Sequence, residues 1–142
     1  MSPSESLSVE VETLRRLRRH RADRVERALS AAQRAQRTLL EQIAQAQQAL
    51  EHTRLEEARQ CAQLLSQHQG QVMTFKALKD WSAQERNLSA GTQREEDHLH
   101  ALHEQKAQQA EHISSVQKQV SQCLREVEKL QELASLLTQE EA

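Results

Sequence analysis

The chain has no tyrosine, and its 142 residues include one phenylalanine, one tryptophan, one proline and two glycines. So few aromatics exclude a globular core of ordinary thickness, and so little glycine and proline leaves no turns with which to fold a sheet. The two cysteines, Cys61 and Cys123, lie 62 positions apart, which fits neither a disulfide framework nor a metal knuckle. A reducing compartment is the expectation. No stretch approaches the roughly 18 apolar residues of a membrane span, and residues 1–20 contain no apolar signal core. A cytoplasmic chain without direct membrane insertion follows as the expectation. One-sided charge is missing as well, because 19 basic residues stand against 21 acidic ones. Such a balance does not keep a chain disordered. There is no glycine-rich phosphate loop, no CxxC and no protected nucleophile next to a base. No enzyme, catalytic residue, cofactor or metal is therefore expected.

What the chain does contain is glutamine, 21 copies, with glutamate, alanine, leucine and arginine, all good helix formers. From Leu78 to Leu137, alternating steps of three and four residues pass eighteen positions, of which thirteen are hydrophobic, against fewer than seven expected at the 37% background. Leu88, Leu99, Leu102, Ile113, Val116, Val120, Cys123, Val127 and Leu130 lie on this stripe. It is a coiled-coil seam. The first half carries a looser stripe, Val11, Leu14, Arg18, Arg21, Val25, Ala28, Ala32, Ala35 and Leu39. After Leu39 it slips by four to Ile43, Ala46 and Leu50, then drifts to Leu55, Ala58, Ala62 and Leu65. Such slips read as stutters, which locally unwind a supercoil.

The fold expected is all-α, a long antiparallel two-helix coiled-coil hairpin forming a single unit over 1–142. Helix 1 is placed at about 3–68, opening on Ser2-Pro3-Ser4-Glu5, the reversal at about 67–76 around Gly70, and helix 2 at about 77–138. Each arm of about 65 residues would run roughly 100 Å. A reversal at Ser89-Ala90-Gly91-Thr92 is the alternative, with badly unequal arms. His98, His100 and His103 beside Glu95, Glu96 and Asp97 suggest metal binding. The stripe puts Leu99 and Leu102 in the seam, however, so these histidines lie on a solvated face with nothing to support a metal.

Charge is unevenly placed. Nine arginines between Leu14 and Arg37 face only Asp23 and Glu26, a local net of +7, whereas residues 72–142 carry eight basic and twelve acidic residues. Pairing of the first helix with Glu126, Glu128 and Glu132 explains part of this, and an acidic partner surface explains the rest. Nucleic acid is not the expected partner, since no aromatic interleaves the arginines to stack on bases. The second local feature is Met73, Phe75, Leu78 and Trp81 at the reversal, where a thin tip leaves apolar side chains partly exposed. Exposed aromatics at one end anchor partner interfaces; the alternative is a plug that closes the turn.

A helical, glutamine- and arginine-rich chain of this length, with Leu14-Arg15-Arg16-Leu17-Arg18-Arg19 in the first helix and Phe75-x-x-Leu78-x-x-Trp81 after a central reversal, resembles the YscO/HrpO/FliJ-like family. These are the central stalk proteins of bacterial type III secretion and flagellar export. The resemblance implies a monomeric stalk whose basic end, Arg15, Arg18, Arg19 and Arg21, meets the hexameric export ATPase. It further implies that the tip, Phe75, Leu78 and Trp81, meets the cytoplasmic ring of the export gate, and that secretion chaperones are escorted. A structural coiled-coil scaffold or rod, and a holdase-type chaperone, are the competing readings.

Overall fold

The computed structural model describes residues 2–141 and contains two helices, α1 (Pro3–His68) and α2 (Phe75–Glu141). The chain is all-α, an antiparallel two-helix hairpin.

Local chemistry sets the helix ends. The Glu5 amide donates to Ser2 Oγ at 3.2 Å and the Ser2 amide to Glu5 Oε2 at 3.0 Å, a reciprocal capping box around Pro3 at the first helical position. At the other end of α1 the Gln69 amide donates to the Leu65 carbonyl at 2.9 Å, and Gly70 follows with φ of 74°. A side chain is strained at that φ, which is why the chain spends a glycine there. Thr74 then caps α2, its hydroxyl accepting from the Ala77 amide and its carbonyl from the Leu78 amide, both at 3.1 Å. This cap lets α2 open at Phe75. Ser89–Thr92, the alternative turn, is continuous helix.

The helices build two compact units, one from α1 up to Arg37 with α2 from Gln108 onward, the other from Thr38–Ala107. In the first, Val11, Ala22 and Ala32 of α1 and Ile113, Val116 and Cys123 of α2 are buried. The small side chain at Ala32 leaves its carbonyl accessible, and Gln109 Nε2 donates to it at 2.9 Å. In the second unit Leu39, Ile43 and Leu102 form a cluster with Ala46 and Leu99 against it.

The α2 stripe is realised as read: from Trp81 to Leu137 every stripe position is buried or half-buried except Glu85 and Lys106. The α1 stripe is realised in part, at Val11, Arg18, Val25, Ala32 and Leu39. Leu14, Arg21, Ala28 and Ala35 are exposed, and the positions turned inward are Val11, Arg15, Arg18, Ala22, Val25, Leu29, Ala32, Gln36 and Leu39. Beyond Leu39 the inward row continues through Ile43, Ala46, Leu50, Thr53, Glu57, Gln60 and Leu64, again in steps of three and four, while Leu55, Ala58, Ala62 and Leu65 are exposed. There is no stutter. The seam of α1 holds polar residues at Arg15, Gln36, Thr53, Glu57 and Gln60, and a search for apolar side chains steps from these onto apolar neighbours on the flank.

Candidate partner-binding surfaces

In heptad terms the inward rows are positions a and d, with Arg15 and Ala22 at a and Val11 and Arg18 at d; positions e and g flank the seam on opposite sides. This assignment separates the arginines of α1. Arg18 donates to Glu126 of α2 across the seam, and Arg21, at g, lies 3.9 Å from the same carboxylate. Arg15 pairs with Glu12 at 3.1 Å on its own helix. Of the four arginines singled out by resemblance, three therefore have a carboxylate within the chain. Arg19 has none among the described residues, and neither do Arg16, Arg24 and Arg27.

On the e side, Glu12, Arg15, Arg16 and Arg19 of α1 and Val127 and Gln131 of α2 line a groove of about 240 Å³. Three guanidinium groups thus stand over one slot with a single carboxylate among them. Planar forks of this kind recognise carboxylates with two parallel hydrogen bonds. Arg16 was not among the residues singled out, since only the register shows that it shares the groove with Arg19.

The tip belongs to the second unit. Phe75 is 75% exposed and Leu78 52%, and Lys79 Nζ stands 5.3 Å from the Phe75 ring centre. Leu65 and Val72 are exposed beside them in sequence and extend the apolar set; neither was singled out, because both lie outside the Phe75–Trp81 spacing. Trp81 is different. Its indole is half-buried, stacks on His68 with ring centres 5.1 Å apart, and donates from Nε1 to Glu85 Oε1 at 2.9 Å. The outward apolar side chains of the reversal are thus Leu65, Val72, Phe75 and Leu78, with the indole tucked against α1.

The remaining candidates are surface or seam chemistry. His98, His100 and His103 are exposed, with His100 Nε2 3.1 Å from Glu104, and no group of three potential metal ligands occurs among the described residues. Both cysteines are free thiols; burial, with the nearby carboxylates of Glu85 and Glu57, pushes the Cys61 thiol up from its ordinary value. Hydrogen bonds from Arg59 and then Gln60 hold the Glu56 carboxyl down at about 2. Within the seam Thr92 Oγ1 donates to Glu57 at 2.5 Å, and Oε2 of Glu95 is buried without a hydrogen-bond partner.

No helix among the described residues is long and apolar enough to cross a membrane. Neither the curated proteins nor the solved structures yield a match to this chain. The family model described as type III secretion protein YscO matches residues 11–142, which takes in the arginine groove, the reversal and the full α2 stripe. By that match the chain belongs to the YscO family and is a component of a type III secretion apparatus.

Proposed function

We propose that this chain is the central stalk of its export apparatus, joining the hexameric export ATPase to the export gate on the cytoplasmic side and escorting emptied secretion chaperones. The observation that carries the reading is the chemical contrast between the arginine groove of the first unit and the apolar tip of the second. The unit holding both chain ends bears arginines with no internal carboxylate around a groove, and the unit holding the reversal bears an apolar tip with two lysines. A linker needs two such surfaces, each selective for a different partner, whereas a holdase needs one adaptable apolar surface.

Arg16 and Arg19 meet the ATPase, and Phe75 and Leu78 meet the gate. Arg18 and Arg21 contribute by holding Glu126 and so fixing α1 on α2, which makes them positioning residues at this end. Trp81 stiffens the tip beneath the exposed residues.

The test is stimulation of the cognate ATPase by the full chain. Arg16→Glu with Arg19→Glu is expected to reduce stimulation by about tenfold or more while far-UV helicity is kept, because exposed charges contribute little to folding. Phe75→Ser with Leu78→Ser is expected to leave stimulation intact and abolish capture of the gate ring. Full stimulation by the double glutamate variant overturns the assignment of the basic end.

A further inference from the structure

The seam of the second unit changes character beyond Leu50. Leu39, Ile43 and Leu102 are buried in one cluster with Ala46 and Leu99 against it, and Leu50 is buried as well. From Glu51 to His98 the one buried residue is Thr92, a polar one. The inward row of α1 there reads Thr53, Glu57 and Gln60, and that of α2 reads Glu85, Leu88, Thr92 and Glu95. Leu88 is the single apolar member. Apolar seam residues return only next to the turn, with Leu64 and with Trp81, which stacks on His68.

Paired helices draw most of their stability from an apolar face, so the polar stretch holds together weakly. Across it run a hydrogen bond from Thr92 to Glu57 and the ion pair of Arg54 with Glu96 at 2.9 Å. The side chains of that pair are 56% and 37% exposed, and an exposed pair contributes little.

Three features of the same stretch work against closure. Glu95 Oε2 is buried with no hydrogen-bond partner. Glu57 and Glu85, from opposite helices, both lie near the Cys61 thiol, which sets two carboxylates close to one place in the seam. Gly91 lies inside α2, where glycine weakens a helix relative to alanine. A Cβ at Gly91 would meet only Arg94 Nη2, at 3.7 Å and in ordinary contact, so packing does not call for glycine.

We propose that the tip, residues 53–96, opens as a unit of its own in the native protein while the cluster of Leu39, Ile43 and Leu102 stays paired. Proteins open in cooperative pieces, and pieces with few buried apolar contacts open at the lowest cost. Opening frees the inward-facing Leu64, Leu88 and Trp81. It gives the tip a second state with more apolar surface than the outward Leu65, Val72, Phe75 and Leu78 of the closed one. The closed state predominates, held near the turn by the stack of Trp81 on His68. The inference concerns the free chain and stands independently of the stalk reading.

The test is hydrogen exchange of the full chain, read amide by amide by NMR. Amides at 53–64 and 81–96 are expected to exchange about tenfold or more faster than those around Ile43 and Leu102. In low urea they should share one denaturant dependence, smaller than that of the cluster amides, because less surface is exposed. Ile43→Val destabilises the cluster in the closed and open states alike. It is therefore expected to speed exchange of the cluster amides by about fivefold and leave the tip amides unchanged. Glu57→Leu with Thr92→Val removes both partners of the polar contact together and is expected to slow the tip amides by about tenfold or more. The proposal is overturned by tip amides as protected as the cluster, or by protection that climbs smoothly from the turn with no step beyond Leu50, which is fraying. It is equally overturned if Ile43→Val speeds tip and cluster by the same factor, the mark of a single cooperative unit, or if Glu57→Leu with Thr92→Val leaves tip exchange as it was.

Discussion

Glu95 turns a carboxylate oxygen into the seam of the second unit, where it finds no donor. Close by in sequence, Thr92 gives its proton to Glu57, so that hydroxyl is committed elsewhere. A buried oxygen left without a partner costs on the order of 1–3 kcal/mol, partly relieved here because the residue is only half-buried. Glu95→Leu is expected to stabilise the protein by about 1 kcal/mol and raise Tm by a few degrees in a thermal melt. An unchanged or lower Tm means that the carboxylate is solvated after all. Glu56 is the opposite case, a carboxylate oversupplied with donors from Arg59 and Gln60. Its folded pKa, about 2, lies below its ordinary 4.5. Its stabilising effect is therefore fully present above about pH 4.5 and is lost as pH falls through about 2. A carboxyl-carbon NMR titration should place the Glu56 midpoint near 2, and Arg59→Ala should return it toward 4.5. The side chains are exposed, so the change in stability should be small and should fade in high salt.

At the scale of the helix the two arms differ in how plainly they declare their register. In α2 the seam is Leu99, Leu102, Ile113, Val116, Val120 and Cys123, and apolar spacing alone finds it. In α1 the same spacing fails, since Arg15 and Gln36 sit in the seam while Leu14 and Ala35, one position earlier, lie outside it. Long side chains can lay an apolar stem in a seam and keep the polar head at its edge, so polarity does not mark a position as outward. What an apolar count cannot see is the partner helix, whose Gln109 and Glu126 satisfy the polar groups of α1 through Ala32 and Arg18. The same limit applies to the candidate surfaces. The arginine cluster and the apolar tip were legible as composition; which arginines are left over, and that the indole folds back onto His68, depend on pairing across helices. Two substitutions separate the registers. Gln36→Leu is expected to stabilise by about 1 kcal/mol as it adds apolar area at a half-buried position. Ala35→Leu, on the surface, should stay within about 0.5 kcal/mol of the parent. The reverse ranking in urea unfolding would restore the stuttered seam.

At the scale of the whole molecule, the hairpin topology makes each helix the other's core. α1 has a/d positions from Val11 to Leu64 and α2 from Trp81 to Leu137, and both rows are turned inward almost without interruption. The apolar seam residues of each arm thus find their burial within one chain, and the short Gly70 turn makes antiparallel pairing of neighbouring segments cheap in loop entropy. A parallel coiled-coil rod would instead need a second chain to cover the same rows. The two architectures respond oppositely to dilution. Assembly of two chains is a mass-action step, so the Tm of a rod rises with protein concentration, while an intramolecular hairpin has none to offer. Over a hundredfold range of concentration the Tm of this chain is expected to stay constant within the error of the melt, and sedimentation velocity is expected to give a monomer of about 16 kDa throughout. A Tm that climbs by several degrees across that range would overturn the monomeric stalk and favour a scaffold assembled between chains. The same experiment on Gln36→Leu is informative because its stabilisation should also be independent of concentration, as expected of a contact made inside one molecule.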